Sequence, residues 1–317
     1  MSALLSIRNL SVTIPRSGED LSILRKIEMQ IQPNEFVGLV GESGSGKSML
    51  SFALMGLLPL QARLQADEMK LDDLNLFKMS SREKRSVYGT KMSMIFQDAI
   101  SALNPVMTVE QQISEVFEIH TKLSKKEIRN QTIELLEKVR IPNPEQKMKC
   151  YPHELSGGLA QRVMIALAIA LKPALLIADE PTTALDVTIQ SEILDLMLAL
   201  QKENQMSVLF ISHDLALVSK YAQKVFVIYS GEIVESGKIS DVIHHPRHPY
   251  THGLLKCMPA HYREFPEGFR LPTIAGQIMQ NTHLEKKCLF VDRCEYAQSK
   301  CHTERPEGNP QCFFPLR

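Results

Sequence analysis

The sequence predicts an α/β protein with a doubly wound core, and three observations predict it. Beyond Leu155, apolar runs of strand length alternate with longer helical stretches. A glycine-rich loop, Gly41-Glu42-Ser43-Gly44-Ser45-Gly46-Lys47-Ser48, joins a short apolar run to a helical segment. A second short run, Ala174–Ala178, ends in the adjacent acids Asp179 and Glu180.

The elements follow in order. Leu4–Arg8 and Ile27–Ile31 alternate in the manner of strands. Glu35–Val40 is a third short run, leading into the loop. Met49–Leu58 carries apolar residues on nearly every side and stops at Pro59, which predicts a buried helix. Residues 107–150 are charged and periodic, and Lys126–Arg140 reads as a surface helix. A helix from Leu155 through Leu171, a break at Pro173 and a strand at Ala174–Ala178 come next. Helix Thr188–Glu203, strand Ser207–Ser212 and a strand pair around Val225–Val234 complete the alternation. After His244 the pattern weakens into Pro, His and Cys, with no internal repeat.

Composition narrows the class. The 317 residues are 44% hydrophobic and 23% charged, enough to bury a sizeable core. Thirty-six Lys and Arg balance thirty-six Asp and Glu, which argues against a basic whole-protein footprint for nucleic acid. The longest apolar run, Val163–Leu171, has nine residues where a bilayer span needs about 20. The first residues carry no basic region followed by an apolar stretch, so no secretory signal is expected, and membrane association would come through a partner. In that setting six cysteines are expected to be reduced, metal-binding or redox-active rather than disulfide-paired.

Gly41–Ser48 fits the pattern G-x-x-x-x-G-K-[ST] in its required place between strand and helix. The glycines let successive N–H groups face phosphate oxygens at the positive end of the following helix. Lys47 would reach the β- and γ-phosphates, and the Ser48 hydroxyl would ligate Mg²⁺. Asp179 is placed to hold the metal, and Glu180 to polarise the attacking water. Taken alone, a strand that ends in acids is more often only an acidic edge; the loop changes that weighing. Ser156-Gly157-Gly158, with Gln161 following, opens a helix and could bind phosphate. His213 follows a strand where a donor could touch the γ-phosphate, although a lone histidine there is usually structural.

In order, Gly41–Ser48, Gln97, Leu155–Gln161, Leu175–Glu180, Ala184-Leu185-Asp186 and His213 resemble the nucleotide-binding subunit of an ATP-binding cassette (ABC) transporter over residues 1 to about 240. The resemblance implies a P-loop NTPase (RecA-like) core with an antiparallel β subdomain, a helical subdomain at about 98–154 and an ATPase domain over 1–243. It implies that Gln97 senses γ-phosphate and Mg²⁺, that Asp186 lies between two ATP sites, and that His213 is a switch. It further implies that Ser156-Gly157-Gly158 closes on ATP held by a facing subunit. The helical subdomain would dock on a membrane partner, although Lys126–Arg140 alone reads equally as a solvated helix.

Asn104-Pro105, Tyr151–Ser156 and His245-Pro246-Arg247-His248-Pro249-Tyr250-Thr251 are similar to the oligopeptide and dipeptide importer branch. By that resemblance residues 244–317 are its small Cys-rich C-terminal extension. The implied partners are two membrane permease subunits, a second ATPase subunit, which in this branch is usually a different chain, and an extracytoplasmic solute-binding protein; no nucleic acid is implied. The implied location is peripheral, at the cytoplasmic face of the cell membrane. The chain departs from the family at Ile14, where an aromatic usually stacks on adenine, and at Ala99 and Ala160.

Cys288, Cys294, Cys301 and Cys312 crowd the extension without the paired knuckles zinc prefers. They are expected to hold one [4Fe–4S] cluster, with unrelated packing thiols as the plain alternative. Three other functions stay open at this point: a nickel or other small-solute importer, a soluble cassette protein acting on nucleic acid or ribosomes, and a metal- or redox-sensing regulator.

Overall fold

The computed structural model describes residues 2–16, 20–183, 185–258, 272–278 and 286–316. Ala184 of the expected Ala184-Leu185-Asp186 motif lies outside them. The chain divides into two compact units, one of residues 1–32, 36–78 and 210–317, the other of residues 33–35 and 79–209. The first opens with β1 (Leu5–Ile14), β2 (Leu21–Ile31), β3 (Phe36–Val40), α1 (Lys47–Met55), β4 (Arg63–Gln65), β5 (Glu68–Leu71) and β6 (Leu74–Asn75). The second runs through α2 (Ser81–Val87), β7 (Met92–Ile95), α3 (Ala99–Ala102), α4 (Val109–His120), α5 (Lys125–Lys138), α6 (Pro144–Lys147), α7 (Gly157–Ile169), β8 (Leu175–Asp179) and α8 (Val187–Asn204). Strand β9 (Ser207–Ser212) starts in the second unit and ends in the first. The first then closes with α9 (Leu215–Tyr221), β10 (Lys224–Tyr229), β11 (Glu232–Lys238), α10 (Ile239–His244), α11 (Pro249–Lys256) and α12 (Ser299–Thr303).

In the first unit β2-β1-β5-β6 form an antiparallel sheet, with β4 also on β1. Its alternation is plain in β2, where Ile27, Met29 and Ile31 are buried and Lys26, Glu28 and Gln30 exposed. The five residues of β3 are all buried, as a parallel strand covered on both faces requires. β3 pairs parallel with β10, and β10 turns antiparallel into β11 through Ser230 and Gly231, at φ 45° and 82°. Phe36 of β3 meets Phe210 of β9 edge to face at 6.0 Å.

Helix α1 departs from expectation at both ends. It begins at Lys47, so Lys47 and Ser48 occupy its first turn, and it stops at Met55 rather than before Pro59. Gly56 ends it by taking a left-handed φ of 67°, its N–H bonding the Ala53 carbonyl while Leu57 N–H bonds Phe52 at 2.8 Å. Leu57 is left half exposed.

In the second unit β9, β8 and β7 are neighbours in that order, β7 and β8 parallel. All five residues of β8 are buried. Helix α7 is apolar nearly all round and packs against α3, α4 and α5. The expected surface helix is α5, which buries Ile128, Thr132, Leu135 and Leu136 and exposes its charges. Capping boxes start α4 (Thr108 with Gln111) and α5 (Ser124 with Glu127). Among the described residues no helix is long and apolar enough to cross a membrane.

The end of the chain is ordered by docking more than its sparse apolar residues suggest. Phe290 is buried, packed against Tyr229 and Tyr250 with ring centroids 5.2 and 5.5 Å away. Gln311 N–H bonds the Val234 carbonyl, and Leu316 N–H that of Arg247, both at 2.8 Å. The Asn309 amide caps Ser236.

Candidate functional site

In the first unit the loop between β3 and α1 has the curl its glycines predict. Gly44 and Gly46 take φ of 80° and 108°. A Cβ on Gly41 would lie 2.2 Å from the Ile228 carbonyl oxygen, so only glycine fits. Gly46 is the N-cap of α1, whose first turn has neither a side-chain cap nor an acidic residue. The positive end of the helix is therefore not neutralised from within it. The Lys47 ammonium donates to the carbonyls of Gly41 at 2.8 Å and Glu42 at 3.1 Å. Ser43 and Gly44 are exposed, Ser45 is buried and Ser48 half-buried. His213, just past β9, is also exposed.

Two contacts on this loop had no counterpart in the sequence reading. The Glu42 carboxylate is gripped by Arg293 through Nη1–Oε2 at 2.7 Å and Nη2–Oε1 at 2.9 Å. The Glu42 N–H donates to the Tyr250 hydroxyl at 2.8 Å. Tyr250 stood in the motif His245–Thr251, but nothing around Arg293 pointed to position 42.

In the second unit β8 carries Asp179 to a buried position, 3% exposed, at its end. The next residue, Glu180, turns the chain with a left-handed φ of 46°. Its Oε2 accepts from the Thr183 hydroxyl at 2.9 Å and from Gln97 Nε2 at 3.3 Å. Gln97 and Glu180 were thus both expected as site residues and do meet, while Thr183 was missed. Ser156 is the exposed N-cap of α7 with no side-chain bond into the helix, followed by exposed Gly157 and half-buried Gly158. A Cβ on Gly158 would come within 3.1 Å of Ile189. Gln161 is 3% exposed, in the second turn of α7, whereas Ser156 and Gly157 are exposed. Asp186 is exposed at the start of α8.

The four tail cysteines, with His248 and Phe290, line one cavity. Burial pushes the Cys288 thiol up to about 11 and raises those of Cys294 and Cys312. Among the described residues, no group of three or more His, Cys, Asp or Glu could hold a metal ion. The expected ligands therefore share a cavity without standing in such a group.

The carboxylate of Asp179 and the hydroxyl of Ser48 are hard oxygen donors of the kind Mg²⁺ takes, so the chain fits that ion in chemistry.

Comparison with known proteins agrees with the motifs. Residues 24–183 match the ABC transporter family, and residues 234–301 the C-terminal region of oligopeptide/dipeptide transporters. The chain is 44% identical to the dipeptide transport ATP-binding protein DppD of Haemophilus influenzae, covering 99% of this chain and 96% of that one. It is 43% identical to the oligopeptide transport ATP-binding protein AppD of Bacillus subtilis, covering 96% and 93%. Among solved structures it is similar to a dimeric ATP-binding cassette in a post-hydrolysis state bound to ADP and Pi. That likeness has a TM-score of 0.66 and 26% identity, and covers 74% of this chain and 98% of that one.

Proposed function

The chain belongs to the ATP-binding subunits of ABC transporters, and from that premise we propose that it hydrolyses ATP to drive import of dipeptides and oligopeptides. The observation that carries the substrate class is the co-occurrence, in one chain, of the cassette match and the peptide-transporter C-terminal match. Its partners are two membrane permeases, a solute-binding protein outside the membrane, and a second, different ATPase chain. It works at the cytoplasmic face, held there by the permeases.

Lys47 and the N–H groups opening α1 hold the β- and γ-phosphates, with Lys47 exchanging loop carbonyls for phosphate oxygens. Ser48, Asp179 and Gln97 are the residues that would hold Mg²⁺, which would supply positive charge against the phosphates. Glu180 takes a proton from water as its oxygen attacks the γ-phosphorus; the bond to the β,γ-bridging oxygen breaks, giving ADP and phosphate. Thr183 and Gln97 orient the Glu180 carboxylate for this. His213 donates to the γ-phosphate. Ser156-Gly157-Gly158, with Gln161 behind them, closes the site on a facing chain, and Asp186 lies at that junction. Cys288, Cys294, Cys301 and Cys312 are the residues that would hold a [4Fe–4S] cluster of structural purpose, a reading supported by their shared cavity.

The test is ATP-dependent uptake of a labelled dipeptide into liposomes holding the assembled transporter. Uptake that fails when Glu180→Gln replaces the wild-type subunit supports the proposal. ATP-driven uptake of Ni²⁺ with none of any peptide would overturn the substrate class.

A further inference from the structure

Arg293 belongs to the C-terminal extension, yet its side chain ends on the nucleotide loop, 251 residues earlier. The guanidinium is fixed on every side. It is 5% exposed, donates through Nε to the Ala275 carbonyl at 2.7 Å, and grips Glu42 with both terminal nitrogens. It lies 5.7 Å from the Tyr229 ring centroid and 6.0 Å from that of Phe290. The parallel two-bond geometry fixes the orientation of the carboxylate as well as its position. Glu42 is the first variable residue of the loop, and its backbone is held at both ends. Its N–H donates to Tyr250, also from the extension, and its carbonyl accepts from Ser45 N–H and from Lys47 Nζ, each at 3.1 Å.

We propose that Arg293 is a positioning residue for ATP binding: through Glu42 it sets the curl of the loop that presents Lys47 and the α1 N-terminus to the phosphates. This rests on reading Gly41–Ser48 as the ATP-phosphate loop. The C-terminal extension is then part of the nucleotide site, and a loop held in its binding shape beforehand loses less freedom when ATP arrives. Burial makes the pair hard to break from one side, since a lone Arg293 would be an uncompensated charge among Tyr229 and Phe290.

The experiment compares Arg293→Met, Arg293→Lys, Glu42→Ala and the double variant Glu42→Ala/Arg293→Met, each full-length and in the assembled transporter. Equilibrium binding of Mg²⁺–ATP and steady-state hydrolysis are measured. Arg293→Met and Glu42→Ala should each raise the Kd and KM for ATP by about 10-fold or more, the scale of a lost charged hydrogen-bond pair. Their kcat should stay within about twofold, because the proton transfer at Glu180 is untouched. Arg293→Lys should recover part of the affinity, and the double variant should bind no worse than the poorer single one. Should Arg293→Met fail to fold, Glu42→Ala and Arg293→Lys carry the same test from either end of the pair. Unchanged affinity, a fall in kcat at constant KM, or additive losses in the double variant would overturn the proposal. Lys47→Ala separates the two readings. If it weakens ATP binding while Arg293→Met does not, only the positioning role falls; if it binds ATP normally, the loop assignment falls as well.

Discussion

The Gln97 amide donates to the Glu180 carboxylate across 3.3 Å, joining a residue just beyond β7 to the one that follows β8. With the Thr183 hydroxyl on the same oxygen, this fixes the orientation of the carboxylate. Glu180→Gln should therefore keep ATP binding and slow turnover by at least about 100-fold, the lower range for a lost general base. Phosphate release and nucleotide binding by the assembled transporter check both halves.

Lys47→Ala acts on the other half of the chemistry. Removing the ammonium should weaken ATP binding by about 10- to 100-fold, the range for charged hydrogen bonds. Equilibrium binding of a fluorescent ATP analogue measures it.

Ser156 and Gly157 are exposed, and nothing within α7 uses the Ser156 hydroxyl. If they close on a facing subunit, the isolated chain should hydrolyse ATP slowly, at a rate per chain that climbs with concentration or with the second ATPase. Ser156→Arg should remove that rise and leave ATP binding unchanged. Full activity in a verified monomer would contradict the arrangement.

Gly41→Ala would put a methyl carbon 2.2 Å from the Ile228 carbonyl. Backbone must shift to make room, costing about 1–3 kcal/mol. Chemical denaturation should show the loss, together with weaker nucleotide binding. Thr108→Ala, which removes a helix cap of the second unit, should cost about 1 kcal/mol and leave binding alone.

Protein purified without oxygen should be brown and carry about four iron and four sulfide per chain if the tail thiols hold a cubane. Cys294→Ser should bleach it. One zinc without sulfide, or no metal at all, would return Cys288, Cys294, Cys301 and Cys312 to ordinary packing roles.

Much of the candidate site was legible because it is written in consecutive residues. Gly41–Ser48 and Leu175–Glu180 each carry their own flanking strand, so local pattern sufficed. The end of α1 was misread because Leu57 and Leu58 continue an apolar run that Gly56 has already broken. The strands β4 to β6 were invisible: at two to four residues, with Arg63, Glu68 and Lys70 among them, they have no periodicity to read. Arg293 on Glu42 was beyond sequence reasoning, since nothing local to either residue encodes a partner 251 positions away. The burial of Phe290 was not legible because the surface that covers it, Tyr229 and Tyr250, belongs to other elements.

The left-handed backbone at Glu180 implies a conflict between durability and work. A φ of 46° costs a non-glycine residue about 1 kcal/mol or more. Glycine would relieve that strain, so Glu180→Gly is a substitution that should raise the melting temperature of the isolated chain while abolishing turnover. A search for thermostable variants that ignored activity would be drawn to this position, and would discard the carboxylate the protein keeps there against its own conformational preference.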